Sequence, residues 1–107
     1  MAKRSESWRE ERWRERARDL LREDGILRGR LSVRRQLCGK PNCRCRAGQR
    51  HEALVLVYRR ANRTTQLHVP KAWEARVRDW VKRYGEVRGL LEKLSSVYEA
   101  KLLHRRD

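Results

Sequence analysis

Hydrophobic positions along this chain follow three rhythms, and each predicts a different element. Between residues 5 and 24, Trp13, Ala17, Leu20 and Leu21 make a narrow stripe at helical spacing, with Trp8 near its edge. Ser7 and Glu10 form a capping box at the start of this helix. Glu6–Arg9, Glu11–Arg14, Glu15–Arg18 and Asp19–Arg22 are opposite charges three positions apart, each worth a few tenths of a kcal/mol. Gly25 suits the left-handed residue that ends a helix, after which Ile26 would fold back on Leu21. A helix this charged needs a surface to lie against.

From Gly29 the period drops to two. Leu31, Val33 and Leu37 alternate with Arg30, Ser32, Arg34 and Gln36, which predicts a half-buried strand; Arg35 breaks the phase. Leu54-Val55-Leu56-Val57-Tyr58 is apolar on both faces and belongs in the centre of a sheet. Ala61-Asn62-Arg63 is a short turn, with Asn62 tolerating positive φ. Thr65, Leu67 and Val69 then share one side of a third strand, and Thr64, Gln66 and His68 the other. Three antiparallel strands result.

The last rhythm is a heptad. After Pro70, which suits a first helical turn, Trp73, Val77, Trp80, Tyr84, Val87, Leu91, Leu94 and Tyr98 are spaced alternately four and three apart. This predicts a helix running to about residue 104, roughly 50 Å long, with its Trp and Tyr in the core rather than offered for stacking. Gly85 and Gly89 mark an expected bend or close approach. The expected fold class is α+β: an N-terminal helix, a small three-stranded antiparallel sheet with a Cys-rich zinc loop, and a long C-terminal helix. Residues 1–25 form the charged helix, 26–70 a basic β module and 71–107 the heptad helix, all one structural unit.

Charge changes this picture from architecture to partners. The chain of 107 residues carries 29 Lys and Arg against 14 Asp and Glu, a net +15. Residues 25–69 hold 11 basic side chains and only Glu52, whereas residues 1–24 hold 8 basic and 7 acidic. A concentrated positive field attracts polyanions, so nucleic acid is the first partner to consider, with a merely solubilising basic surface as the alternative. Arg30, Arg34, Lys40, Arg44, Arg46, Arg50, Arg59, Arg60 and Arg63 would contact phosphates. No apolar run reaches the roughly 18 residues of a membrane span, and charged Met1-Ala2-Lys3-Arg4-Ser5-Glu6 does not lead into a signal sequence. Leu, Ile, Val and Phe make up about a fifth of the chain, so the core is thin and calls for a metal or a partner chain.

Between the first two strands, Cys38-Gly39-Lys40-Pro41-Asn42-Cys43-Arg44-Cys45 is followed by His51. Three thiols and an imidazole within fourteen residues are the ligand set of a Cys3His structural zinc site. Cys43 and Cys45, two apart on an extended segment, project to the same side. Lys40, Arg44, Arg46 and Arg50 surround them and favour the thiolates. Two other readings stay open. His68, water or a second chain could supply the fourth ligand, or the Cys could be small buried residues with no metal. Three Cys also argue against a disulfide scaffold and for a reducing, cytoplasmic setting. An iron–sulfur cluster lacks its fourth Cys.

Gly29-x-Leu31, the Cys38–Cys45 run, the following His and Val69-Pro70-Lys71 before a long helix resemble an uncharacterised prokaryotic family. Its members carry C-G-K-x-x-C-x-C, then H-G-P with aromatics, then Y-V-P-K at the start of a helix. The resemblance covers about residues 29–98. Here Glu52 and Ala53 stand where Gly-Pro is usual, and His68 where Tyr is usual. The resemblance implies a fold and a metal loop; the family has no established activity.

Three function classes follow. The favoured one is a zinc-binding module that binds DNA or RNA through its sheet and Cys loop, without catalysis. The second is an assembly module, an accessory subunit dimerising through the C-terminal helix. An enzyme ranks last, because the central module has one carboxylate, Glu52, and two His for acid–base work. The partners named are nucleic acid and a second copy of the chain, with no membrane and no small-molecule substrate.

Overall fold

The computed structural model describes residues 3–36 and 51–105. Helix α1 spans Lys3–Arg22, strand β1 Arg30–Gln36, strand β2 His51–Arg60, strand β3 Arg63–Val69 and helix α2 Glu74–Leu103. A single 3-10 turn, Lys71–Trp73, lies between β3 and α2, its Trp73 N–H donating to the Pro70 carbonyl at 2.9 Å. The architecture is the α+β arrangement expected: helix, three-stranded antiparallel sheet, long helix. Among the described residues, no helix is long and apolar enough to cross a membrane.

Two compact units divide these elements. One comprises Leu27–Val81, which takes in the sheet and the first turns of α2; the other comprises Met1–Ile26 with Lys82–Asp107. In the first, the strand order is β1-β2-β3, so the run that is apolar on both faces is central as expected. Leu31 and Val33 pair with Leu56 and Leu54, and Leu67 and Val69 pair with Leu56 and Leu54 from the other side. All lie on one face, where Leu54, Leu56 and Val69 pack with Val77 of α2, flanked by Leu27, Leu31, Tyr58, Trp80 and Val81. The Leu27 N–H donates to the Trp80 carbonyl at 3.1 Å, fixing the approach to β1 on the helix.

Val33 and Leu67 were expected to be covered by virtue of their phase, yet both are about half exposed. They sit on the outer strands of a narrow sheet, and one helix covers its centre rather than its edges. The Arg35 phase break has a cause as well. Arg35 stands on the apolar face opposite Glu52, and the two form an ion pair at 3.1 Å. Ala61 and Asn62, at φ 51° and 65°, make a two-residue turn of the kind that suits antiparallel strands. Arg63 is therefore the first residue of β3 rather than part of the turn. Gly29, at φ 130°, leaves room that no side chain could share: a Cβ there would stand 2.7 Å from Leu56 Cδ1.

In the second unit, α1 begins at Lys3, ahead of Ser7, so Ser7 lies within the helix and is not its N-cap. The far end behaves as expected, with Gly25 at φ 38°. Arg83 of α2 donates to the carbonyls of Asp24 and Gly25, the latter at 2.6 Å, satisfying acceptors just beyond the helix end. Ile26 does not fold back on Leu21; both are exposed. Of the i,i+3 pairs, Asp19–Arg22 is formed at 3.8 Å, while Arg14 turns instead to Glu10, one turn back at 3.2 Å.

Leu20 of α1 is buried with Val87 and Leu90 of α2, beside Trp13 and Ala17. The heptad seam thus needs correcting after Val87. Leu90 is buried and Leu91 is 56% exposed, and Val97 is half-buried while Tyr98 is exposed. Two adjacent apolar residues at 90 and 91 allow either register, and a straight helix at 3.6 residues per turn drifts from a strict heptad. Gly85 and Gly89 mark no close approach. A Cβ at either would meet nothing within 4 Å, and α2 runs through both without interruption. Gly85→Ala and Gly89→Ala are each expected to raise unfolding free energy by about 0.5–1 kcal/mol, read as a higher denaturant midpoint.

Glu10 gathers several polar partners in this unit. It accepts from the Tyr98 hydroxyl at 2.6 Å and from Arg14 at 3.2 Å, and Arg14 also donates to the Tyr98 oxygen at 2.5 Å. The Tyr98 hydrogen bond, then that of Arg14, holds the Glu10 carboxyl below its ordinary value. The folded state therefore binds this proton less readily than the unfolded chain. The resulting stabilisation is present above the ordinary Glu pKa of about 4.3 and is lost as pH falls through the lowered value. Thermal midpoints measured from about pH 7 down to 3 are expected to fall less steeply in Glu10→Gln than in the parent.

Candidate functional site

The candidate surface is the face of the sheet turned away from α2. Side chains alternate along a strand, so the register assigns each one. Leu31, Val33, Leu54, Leu56, Tyr58, Leu67 and Val69 take the helix side. Arg30 pairs with Val57 and Gln66, Ser32 with Val55 and His68, and Arg34 with Ala53, all on the outer side; Arg59 pairs there with Thr64. Arg30, Arg34, Arg59, Thr64, Gln66 and His68 are exposed. Val55 is buried even on this outer face, which is what an apolar run on both faces of a central strand implies.

Strand geometry spaces the guanidinium-bearing positions. Arg30 and Arg34 are four residues apart, about 13 Å along β1. Arg59 lies two residues past the Arg30 partner Val57, so it extends the row by about 7 Å, one strand over. The three positions form a row of about 20 Å. One Arg59 N–H donates to the Asn62 carbonyl at 3.2 Å, which steadies the side chain at the turn and leaves other donors of the guanidinium for a ligand.

Two of the expected phosphate contacts do not join this row. Arg60 and Arg63 pair with each other on the helix side, because the two-residue turn places them directly opposite in that phase. Arg60 instead borders a depression of about 170 Å³ lined by Leu27, Arg28, Leu56, Tyr58 and Leu67. Lys40, Arg44, Arg46 and Arg50 lie outside the described residues, as do Cys38, Cys43 and Cys45. The backbone of His51 opens β2, paired with Gln36. His68 pairs with Val55, four residues along β2 and one strand over. The two histidine Cα atoms are thus about 14 Å apart, and a single ion takes at most one of them. Among the described residues, no group of three His, Cys, Asp or Glu is placed to hold a metal.

Glu52, the single carboxylate of residues 25–69, is on the helix side in its ion pair with Arg35. The outer face consequently carries no carboxylate among its described strand residues. The Coulomb field there is not cancelled locally, whereas exposed ion pairs such as Arg16–Glu86 at 3.1 Å neutralise charge in the helical unit.

Aromatic side chains are less buried than the heptad predicts, and cations explain where they went. Trp73 is 44% exposed, and the Arg76 guanidinium lies 4.5 Å from its ring and 5.2 Å from that of Trp80. The two indoles meet edge to face at 5.9 Å. Arg28 covers Tyr58 at 5.2 Å, Arg12 covers Trp8 at 4.8 Å, and Lys101 covers Tyr98 at 4.8 Å. Sequence reasoning missed these partners. Trp8–Arg12 and Trp73–Arg76 are legible as i,i+4 and i,i+3 spacings; Arg28–Tyr58 joins residues thirty apart and has no local signal.

No curated protein and no solved structure matches the chain significantly. Across residues 7–79, from within α1 to the first turns of α2, the chain matches the model of a family described as a domain of unknown function, DUF6788, and it belongs to that family.

Proposed function

We propose that this chain is a small basic zinc-binding module that binds nucleic acid without catalysis, through the outer face of its sheet and its Cys loop. One observation carries the reading: Arg30, Arg34 and Arg59 share an exposed face without a carboxylate, while Glu52 is paired on the other side. Guanidinium groups in a row contact phosphates and fix register without themselves reading the bases. Zinc on Cys38, Cys43, Cys45 and His51 would tie together the β1–β2 connection, whose Lys40, Arg44, Arg46 and Arg50 are proposed to add to the phosphate contacts. The C-G-K-x-x-C-x-C run is proposed as the signature of the family.

Fluorescence anisotropy with labelled nucleic acid across a salt series tests the binding. Affinity that falls steeply as salt rises supports it; no binding, or binding indifferent to salt, contradicts it. Native mass spectrometry with and without chelator tests the metal, the expected result being one ion per chain, lost on chelation together with a lower thermal midpoint.

A second reading, assembly through α2, is favoured by one stripe of that helix. Leu91 and Leu102, eleven residues or about three helical turns apart, are both exposed. Light scattering on the full chain and on Leu91→Lys/Leu102→Lys decides it. A dimer that the double substitution dissociates supports assembly, and a monomer in the parent chain removes it.

A further inference from the structure

We propose that the outer sheet face takes the backbone of a nucleic-acid duplex in preference to a single strand, an inference that rests on the nucleic-acid reading above. Sheet surfaces that hold single strands do so largely by stacking bases on aromatic side chains, worth about 1–3 kcal/mol per base. The outer face has no Tyr, Trp or Phe among its described residues. The aromatic rings of this unit, Tyr58, Trp73 and Trp80, are placed elsewhere. Tyr58 and Trp80 border the core between sheet and helix, and each of the three carries a guanidinium over its face. An incoming base finds no Tyr, Trp or Phe platform among the described residues of the face that holds the charge.

Without stacking, affinity comes from phosphate contacts alone, and the duplex then wins on charge density. Counterion release per neutralised phosphate is about 0.9 for duplex against 0.7 for a single strand. The row from Arg34 through Arg30 to Arg59 is fixed by strand pairing at about 20 Å, long enough to reach several phosphates of a duplex. A duplex presents those phosphates already ordered, whereas a single strand must lose chain entropy to line up with them. Ser32, Thr64, Gln66 and His68 add donors that bind phosphate or sugar oxygens whatever the base.

Anisotropy with the full chain compares a mixed-sequence duplex, a duplex of scrambled sequence and the separated strands, each at several salt concentrations between about 50 and 200 mM. The expected result is a duplex affinity about threefold or more above that of either strand, with the larger salt slope, and near-equal affinity for the two duplexes. Single strands bound as tightly as the duplex, or more tightly, overturn the duplex preference and leave nucleic-acid binding standing. Absence of salt-dependent binding to any of these probes overturns the reading on which it rests.

Discussion

Leu56→Ala is expected to remove about 3–4 kcal/mol of stability, and a chain with so thin a core has little more than that to lose. Leu56 is 2% exposed, lies on the central strand between Leu31 and Leu67, and belongs to a buried cluster of four among the described residues. The lost methine and two methyl groups would leave a cavity that Gly29, with no side chain to move inward, could not refill. Urea unfolding followed by circular dichroism should show the midpoint falling far toward zero denaturant. Leu67→Ala is the control. It pairs with the same residue but is half exposed, and is expected to cost about 1 kcal/mol or less.

Arg30→Gln/Arg34→Gln/Arg59→Gln is expected to weaken nucleic-acid binding about a hundredfold at physiological salt. Three lost phosphate contacts at about 0.9 counterions each change the salt slope by about 2.7, which corresponds to roughly two decades of affinity near 0.15 M. The fold should survive, because all three side chains are exposed and surface substitutions usually stay within about 0.5 kcal/mol. Arg60→Gln/Arg63→Gln removes two charges from the same hairpin but from its other face. If position rather than total charge matters, that variant keeps most of the affinity. Equal losses in the two variants would mean that the binding surface is not the outer face.

Much of the architecture was readable because the local patterns agreed with one another. Alternation placed Leu31 and Val33 on one face, the double-sided run placed β2 centrally, and Asn62 marked the turn. Trp13, Ala17, Leu20 and Val87 declared the face by which each helix packs. What the pattern could not decide was coverage. Leu67 and Val33 have the right phase but sit on outer strands, and Leu90 was passed over for Leu91 because a heptad template fits only one of two adjacent leucines.

The candidate surface was half legible. Its charge lay open in the composition, but its sorting between faces depends on the exact turn. With Arg63 read as a turn residue, the sequence leaves the phase of the third strand's first position undetermined, and nothing in the pattern separates Arg60 and Arg63 from Arg59. The cation–aromatic pairs were hidden for a different reason. Arg28 reaches Tyr58 only through tertiary packing, so no spacing announces it.

The most direct test of the account is an NMR titration of the labelled chain with a mixed-sequence duplex, watching side-chain rather than backbone signals. The Arg30, Arg34 and Arg59 Nε–Hε resonances and the Val57 methyls are expected to shift together and to return as salt is raised. The Leu54 and Leu56 methyls, on the helix side of the same strand, are expected to stay in place. Shifts confined to α1 and the later turns of α2, or no shifts at all, would contradict a binding surface on the outer face of the sheet.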